Sequence, residues 1–310
     1  MKRVLILGAT GMLGNAVTKV FLENKDKYLV SITAKPETVF LHGHGKGTEK
    51  QPVIIANKFQ NMFDNLADFR DVIAYNALEL DLGKVWKLDD HPDYIINCVG
   101  VIKPFVKEDD PHKYKTIYVN SVFPHYLSSY AKEVGIKMIH ISTDCVFSGT
   151  KGNYVEEDPH DALDLYGKSK SMGEPVNCMV LRTSIIGEET HKNASLIEWV
   201  KSNRHKEVNG YTNHLWNGMT TTQFGRTCEK IFSENLHEDG LFHVHSPNLV
   251  AKNDLVSLIS DKLDLHVGVL PTEAPESIDR TLSTSKELNA KLDIPELSYQ
   301  LENIFSINSI

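Results

Sequence analysis

Val4-Leu5-Ile6-Leu7-Gly8-Ala9-Thr10-Gly11-Met12-Leu13-Gly14 is the stretch that decides the fold. Its first four residues are apolar without alternation, the pattern of a strand buried on both faces, as in parallel sheets. The run stops at Gly8, and beyond it Leu13, Val17, Val20 and Phe21 recur at helical spacing. A buried strand that turns through glycines into a helix is the opening of a parallel α/β sheet. Each glycine has a separate use. Gly8 permits the tight turn, Gly11 lets the backbone approach a bound group, and Gly14 lets helix and strand pack closely. Free N–H groups at the helix start then favour an anion. Gly8, Thr10, Gly11, Met12, Leu13 and Gly14 are therefore candidates to hold the pyrophosphate of a dinucleotide. A glycine-rich turn without a ligand is the plain alternative.

Outward from this stretch, strands and helices keep alternating. Further strands are expected at 28–33, near 72–75, and at 94–98, 137–142 and 179–183. A long helix is expected at 109–134 and a shorter one at 165–174. Such alternation implies an α/β fold, a doubly wound parallel sheet with helices on both faces. Residues 36–66 are irregular and contain the Gly/His-rich piece 42–47, read as an exposed loop. Past residue 184 the pattern loosens, with helices expected at 194–203, 220–234, 252–262 and 296–306 and short strands near 207–208 and 241–245. The division expected is a cofactor domain at 1–184, completed by about 214–247, and a smaller C-terminal α/β substrate lobe at 185–213 and 248–310.

The bulk properties narrow the partners. A chain of 310 residues accommodates a cofactor domain and a smaller lobe. Its 33 basic and 41 acidic side chains give a net charge of -8, which argues against bulk nucleic-acid or anionic-membrane binding. Cys98, Cys145, Cys178 and Cys228 show no metal-binding rhythm and read as free thiols of a reducing compartment. The apolar run after Met1-Lys2-Arg3 is too short for a signal segment, and no stretch approaches the ~18 apolar residues of a membrane helix. A cytoplasmic protein is expected. His42/His44 and His243/His245 have H-x-H spacing without an evident third ligand, so no metal is expected.

The second strand is followed by Lys35-Pro36, with no acid before Glu37 to hold ribose hydroxyls. Lys35 would instead meet a 2′-phosphate, so NADP(H) is favoured over NAD(H); a solvated surface lysine is the other reading. Asp81 and Leu82 would flank the adenine, or form a simple turn. Tyr166 and Lys170 are four apart, on one face of a helix. An ammonium beside a phenol favours the phenolate, so Lys170 is expected to lower the Tyr166 pKa and make proton delivery to a carbonyl efficient. Thr143 runs off the end of the fifth strand, where such sheets bind ligands, and would hydrogen-bond the same carbonyl.

The stretch Ser142-Thr143-Asp144-Cys145-Val146-Phe147-Ser148-Gly149 is followed by Asn153-Tyr154, Glu156, Leu165-Tyr166-Gly167-Lys168-Ser169-Lys170 and Gly173-Glu174. Together they resemble the extended short-chain dehydrogenases/reductases, in particular the dTDP-4-dehydrorhamnose reductase group. The resemblance covers most of the first 190 residues, and Leu181-Arg182-Thr183-Ser184 extends it. It implies a Rossmann fold and a catalytic set of Thr143, Tyr166 and Lys170. It also implies hydride delivery from NADPH to C4 of a nucleotide-linked 4-keto-6-deoxysugar, with a homodimer as the assembly. This chain has Asp144-Cys145 where dehydratase relatives carry an Asp-Glu pair and the reductases usually carry an aromatic after the aspartate. GDP-fucose synthases carry a cysteine two residues after the catalytic serine, as Cys145 stands after Thr143. Cys145 is accordingly either an acid/base of a 3,5-epimerase/4-reductase or a small thiol lining the pocket. The group also resembles the regulatory subunit of methionine adenosyltransferase, so a non-catalytic NADP-binding subunit is a third reading.

Cys98, Val99 and Gly100, after Asn97 at the end of the fourth strand, lie beside the expected nicotinamide site. Asn120 matches a helix asparagine that supports the active site in relatives. Asp144 and Cys145 are candidate sugar contacts, and Lys103 and Arg280 candidate phosphate contacts. Tyr211, Asn213 and Trp216 offer stacking and hydrogen bonds to a base or sugar, although an aromatic in a small lobe is more often core.

Overall fold

In the computed structural model the chain is described at residues 1–34, 39–41, 53–55, 68–74, 77–79, 91–189 and 194–306. β1 (Lys2–Leu7) leads into α1 (Met12–Glu23), β2 (Tyr28–Ala34), the short strands β3 (Val39–Leu41) and β4 (Val53–Ile55), and then β5 (Asp71–Ala74) and β6 (Tyr94–Asn97). α2 (Asp110–Ile117) and α3 (Phe123–Glu133) precede β7 (Lys137–Thr143), α4 (Leu165–Ser171) and β8 (Met179–Thr183). β9 (Ile185–Ile186), α5 (Leu196–Ser202), β10 (Glu207–Tyr211), β11 (His214–Trp216), β12 (Met219–Thr220), α6 (Thr221–Ser233) and β13 (Gly240–His243) follow. β14 (Val250–Ala251), α7 (Lys252–Lys262), β15 (Gly268–Thr272), β16 (Ile278–Asp279), α8 (Leu288–Leu292) and α9 (Leu297–Ser306) complete the order.

The central sheet has seven strands in the order β13-β8-β7-β6-β1-β2-β5, and every pairing is parallel. The chain steps from β1 outward to β2 and β5, then crosses back to β6 on the other side of β1. The gap beyond the carboxyl ends of β1 and β6 is the switch point where such sheets bind ligands. β1 shows why the sheet is covered twice. Val4 and Ile6 point to one face, with Val17 and Phe21 of α1 and Phe224 and Ile231 of α6. Leu5 and Leu7 point to the other, with Phe123, Leu127 and Ala131 of α3. A separate core joins Ile197, Val200, Leu255, Ile259, Leu297 and Leu301 in the smaller lobe. There β10 pairs with β15, and β11 pairs with β14 and β16.

Three local expectations change. Val39–Leu41 and Val53–Ile55 pair antiparallel within a stretch read as loop. The segment that returns to the large sheet begins after β11, because β11 belongs to the small sheet and only β13 reaches the large one. The long helix 109–134 contains a π turn at Tyr118–Val122. Pro124 explains it: proline lacks the N–H that would bond the Asn120 carbonyl, and its ring crowds that carbonyl. The freed carbonyl faces Gly173, where an added Cβ would stand 1.7 Å from it.

Candidate active site

The turn after β1 is built by backbone alone. Gly8 has φ +82°, a conformation that disfavours side chains. Its N–H donates to Thr33 Oγ1 at 3.0 Å, and the Ala9 N–H donates to the Thr33 carbonyl at 3.2 Å. A Cβ on Gly14 would lie 2.2 Å from the Gly8 carbonyl oxygen. Gly11 starts α1 with no side-chain cap and no acid in the first turn, which leaves the positive helix end to an external anion. Asn15, in that first turn and 6% exposed, has its Nδ2 without a hydrogen-bond partner. Bare turn, uncapped helix and orphaned donor fit a pyrophosphate. Val99 of the loop after β6 packs against Gly8. Lys35, Asp81 and Leu82 lie outside the described residues, as do His42 and His44.

Thr143 ends β7, one strand from β6 and two from β1. Its Oγ1 accepts from the Cys145 N–H at 3.2 Å, donates to Asp144 Oδ1 at 3.1 Å and hydrogen-bonds the Tyr166 phenol. α4 is started by Asp164, whose Oδ1 accepts from the Gly167 N–H at 2.9 Å. It carries Tyr166 and, one turn on, Lys170. Lys170 is buried and its Nζ donates to the Ile141 carbonyl at 2.7 Å. Burial lowers the Lys170 pKa to about 8 against the opposing pull of Glu174 and Cys98.

Tyr166 corrects an expectation: its pKa is raised, not lowered. Burial is the main cause, and Cys145, Asp144 and Asp164 act in the same direction, against the Thr143 hydrogen bond. The groups that act on the phenol are thus mostly acidic, while the Lys170 ammonium is turned to a β7 carbonyl. Burial and Asp144 also push the Cys145 thiol up to about 12, so it is a neutral thiol near pH 7. Burial raises the Asp144 pKa, opposed by Arg280 and by hydrogen bonds from Thr143, Cys145 and Ser184.

Asn120 sits in the π turn and works as a tie. Its Oδ1 accepts from the Val101 N–H at 2.8 Å, and its Nδ2 donates to the Val101 carbonyl at 3.0 Å and to Ser169 Oγ at 3.1 Å. It thereby joins the loop after Gly100 to α4. Lys103 pairs with Asp164 at 2.9 Å. Arg280, from the smaller lobe, donates to the Phe147 carbonyl at 2.9 Å and acts on Asp144, Cys145 and Asp164. The structure therefore brings Arg280 to the residues that surround Thr143 and Tyr166. Asn213 is engaged elsewhere: its amide bonds the Ala274 carbonyl at 2.8 Å and N–H at 2.9 Å. Trp216 packs on the smaller lobe's core, and the Tyr211 ring lies 4.7 Å from that of His214.

The composition of the strands also hides a cluster. Arg182, fully buried, donates from Nε and Nη2 to Glu174 at 3.1 and 2.8 Å, from Nη1 to His243 Nε2 at 2.7 Å and from Nη2 to His160 Nε2 at 2.7 Å. Arginine only donates, so both rings accept and both are neutral. Burial, then Arg182, lowers the His243 pKa to about 4. Glu174 also accepts from Ser142, next to Thr143. A charge within the apolar strand Met179-Val180-Leu181-Arg182-Thr183 was the available signal, since a buried cation requires partners. Among the described residues no group of three or more His, Cys, Asp or Glu is placed to hold a metal, and no helix is long and apolar enough to cross a membrane.

The chain is 27% identical to methionine adenosyltransferase 2 subunit beta of Pongo abelii over 309 residues, covering 96% of this chain and 81% of that protein. It is 24% identical to the spore coat polysaccharide biosynthesis protein SpsK of Bacillus subtilis, covering 61% of this chain and 68% of that protein. Its fold matches that of dTDP-4-dehydrorhamnose reductase from Bacillus anthracis, solved in complex with NADP, with a TM-score of 0.70, 18% identity and 100% of both chains covered. The profile of one family runs along residues 1–303, from the glycine turn through Thr143, Tyr166 and Lys170 to Arg280 and α9, and by that match the chain belongs to the RmlD substrate binding domain family.

Proposed function

We propose that the protein is an NADP(H)-dependent reductase of a nucleotide-linked 4-keto-6-deoxysugar, serving deoxysugar synthesis for a glycan. The observation that carries this reading is the meeting of Thr143, Tyr166 and Lys170 at the carboxyl end of β7, beside the switch point. Gly8, Thr10, Gly11, Met12, Leu13 and Gly14 would hold the pyrophosphate, and Lys35 the 2′-phosphate. Asp81 and Leu82 would flank the adenine, and Cys98, Val99, Gly100 and Asn120 the nicotinamide side. When bound, NADPH supplies the hydride.

The residues of the chain supply the rest. Thr143 Oγ1 orients the substrate carbonyl oxygen. Tyr166, kept protonated by its surroundings, gives its proton to that oxygen as the carbonyl carbon becomes a carbinol. For the Lys170 cation, one turn along α4, to stabilise the resulting phenolate, its ammonium must swing from the Ile141 carbonyl; solvent then returns the proton. Lys103 and Arg280 are the cations for a diphosphate, Asp144 and Cys145 line the sugar, and Tyr211 faces the base. The contacts of Asn213 and Trp216 are those of structural residues. A neutral thiol that is deprotonated only with difficulty suits Cys145 as lining rather than as the base of an epimerisation.

The test is NADPH absorbance with dTDP-, UDP- and GDP-4-keto-6-deoxysugars. Oxidation with one of them, reduced about 100-fold or more in Tyr166→Phe, is the expected result. No oxidation with any, despite tight NADPH binding, overturns the reading. A second reading rests on the likeness to methionine adenosyltransferase 2 subunit beta along nearly the whole chain. In it the protein binds NADP(H) as the regulatory subunit of a synthetase, and stable co-purification with a methionine adenosyltransferase catalytic chain, unaffected by Tyr166→Phe, would favour it.

A further inference from the structure

β6 and β7 set Asn97 and His140 side by side as register partners, in the row that also holds Leu7 and Val180. Both side chains are fully buried. Asn97 Oδ1 accepts from the Val99 N–H at 3.1 Å, which fixes the orientation of the amide. Its Nδ2 is therefore the end that meets His140 Nδ1, also at 3.1 Å. An amide nitrogen only donates, so His140 Nδ1 accepts and carries no proton. The ring proton must then sit on Nε2, and the ring also hydrogen-bonds the backbone of Gly173, just past α4. That same Nε2 lies 3.5 Å from Lys170 Nζ; an ammonium also only donates, so with its proton on Nε2 the ring touches the cation without a hydrogen bond to it.

We infer that Asn97 and His140 are positioning residues for Lys170: Asn97 locks His140 as the uncharged Nε2–H tautomer, and the locked ring ties the sheet to the end of α4 without placing a second charge beside the ammonium. The inference rests on the catalytic reading of Lys170. The lock matters because an ordinary histidine is half protonated near pH 6.5, so an unlocked ring would carry charge in mildly acidic solution. An imidazolium at 3.5 Å would repel the Lys170 cation, which has one backbone acceptor fixing it. The other groups acting on Lys170 are Glu174, beyond α4, and Cys98, after β6. Those acting on His140 are Lys170 and His125 of α3, both positive when protonated, and burial adds to their effect. Every charge that faces the ring therefore opposes its protonation.

Nitrogen-15 NMR of the labelled protein tests the lock directly. The expected spectrum has one histidine with a protonated Nε2 and a bare Nδ1, unchanged from about pH 5 to about pH 9. A proton on Nδ1, or titration of this ring near pH 6.5, overturns the proposal without any variant. Asn97→Asp tests the consequence. A carboxylate only accepts, so the ring proton should move to His140 Nδ1 and leave Nε2 bare beside Lys170. Nε2 can then accept from the ammonium, and the added carboxylate also favours the cation, so the Lys170 midpoint, followed through carbon-13 methylated lysine, should rise by about one unit or more. A ring that keeps its proton on Nε2 in this variant, or an unmoved midpoint, sinks the idea. His140→Gln keeps one donor and one acceptor and no charge, so Lys170 should titrate within about half a unit of the native value. A larger shift there also overturns it. None of these readouts needs turnover, so they stand or fall apart from the reductase assay.

Discussion

Two regions of this molecule treat charge in opposite ways, and their difference shows how the site is held. The glycine turn between β1 and α1 occupies seven successive residues, Gly8–Gly14, and works through the absence of side chains. Its donors are backbone N–H groups, and what it lacks is an internal anion. The Arg182 cluster works through side chains from separate parts of the chain: Ser142, His160, Glu174, Arg182 and His243. Every nitrogen of its cation has a partner within the protein. The first region is left incomplete and so fits a ligand. The second is complete and so serves as a rigid footing beneath Thr143, since Glu174 holds Ser142 next to it.

Removing the cation should break the second region most. Arg182→Met leaves the Glu174 carboxylate buried with Ser142 and no cation, which should cost about 3–5 kcal/mol in urea unfolding. Glu174→Gln added to that variant should return part of the loss. A single variant within about 1 kcal/mol of the parent would show that the cluster is not a footing. Acid should weaken the same region. His243 has a folded pKa of about 4 against an unfolded value near 6.5, so the folded state binds fewer protons between them. Stability is intact above about pH 6.5 and declines as pH falls towards about 4, by about 3 kcal/mol from this group. His140 and His160, also shifted down, add in the same direction. Flat stability across that interval would contradict neutral, buried rings.

Gly14→Ala probes the first region. Its Cβ would meet the Gly8 carbonyl at 2.2 Å, a backbone atom that cannot swing aside. A strain of about 1–3 kcal/mol should appear as NADPH binding weakened roughly tenfold to a hundredfold, read by fluorescence titration. Normal NADPH affinity would remove the turn from the cofactor site. The smallest effect is expected at the rim. The Lys103–Asp164 pair is largely exposed, so Lys103→Ala should change stability by no more than about 1 kcal/mol. If Lys103 meets a diphosphate, KM for the sugar nucleotide rises while kcat holds. An unchanged KM assigns it to the surface.

The glycine turn, the strand-helix alternation and the Thr143, Tyr166 and Lys170 trio were legible because each is encoded within a few residues or by a period. An apolar run names a buried strand, a glycine triplet names a turn, and a four-residue interval names a helix face. The π turn was half legible, since Pro124 announces a lost hydrogen bond without saying how the helix absorbs it. The Tyr166 shift was not legible. The interval to Lys170 puts the two residues on one helix face, but does not show that burial, with Cys145, Asp144 and Asp164, raises the phenol pKa while Lys170 turns to Ile141. Arg280 could be guessed as a cation but not placed, because it comes to Asp144 from another lobe.

By itself, then, the sequence determined the parallel sheet, its glycine turn and the residues at the end of β7, since local propensity and periodicity act between near neighbours. Only the tertiary structure decided the sharing of Arg182 among Glu174, His160 and His243, the pairing of His140 with Asn97 and the raised pKa of Tyr166. Those depend on burial and on which distant groups meet, and a buried group's charge is set by the partners that replace its water.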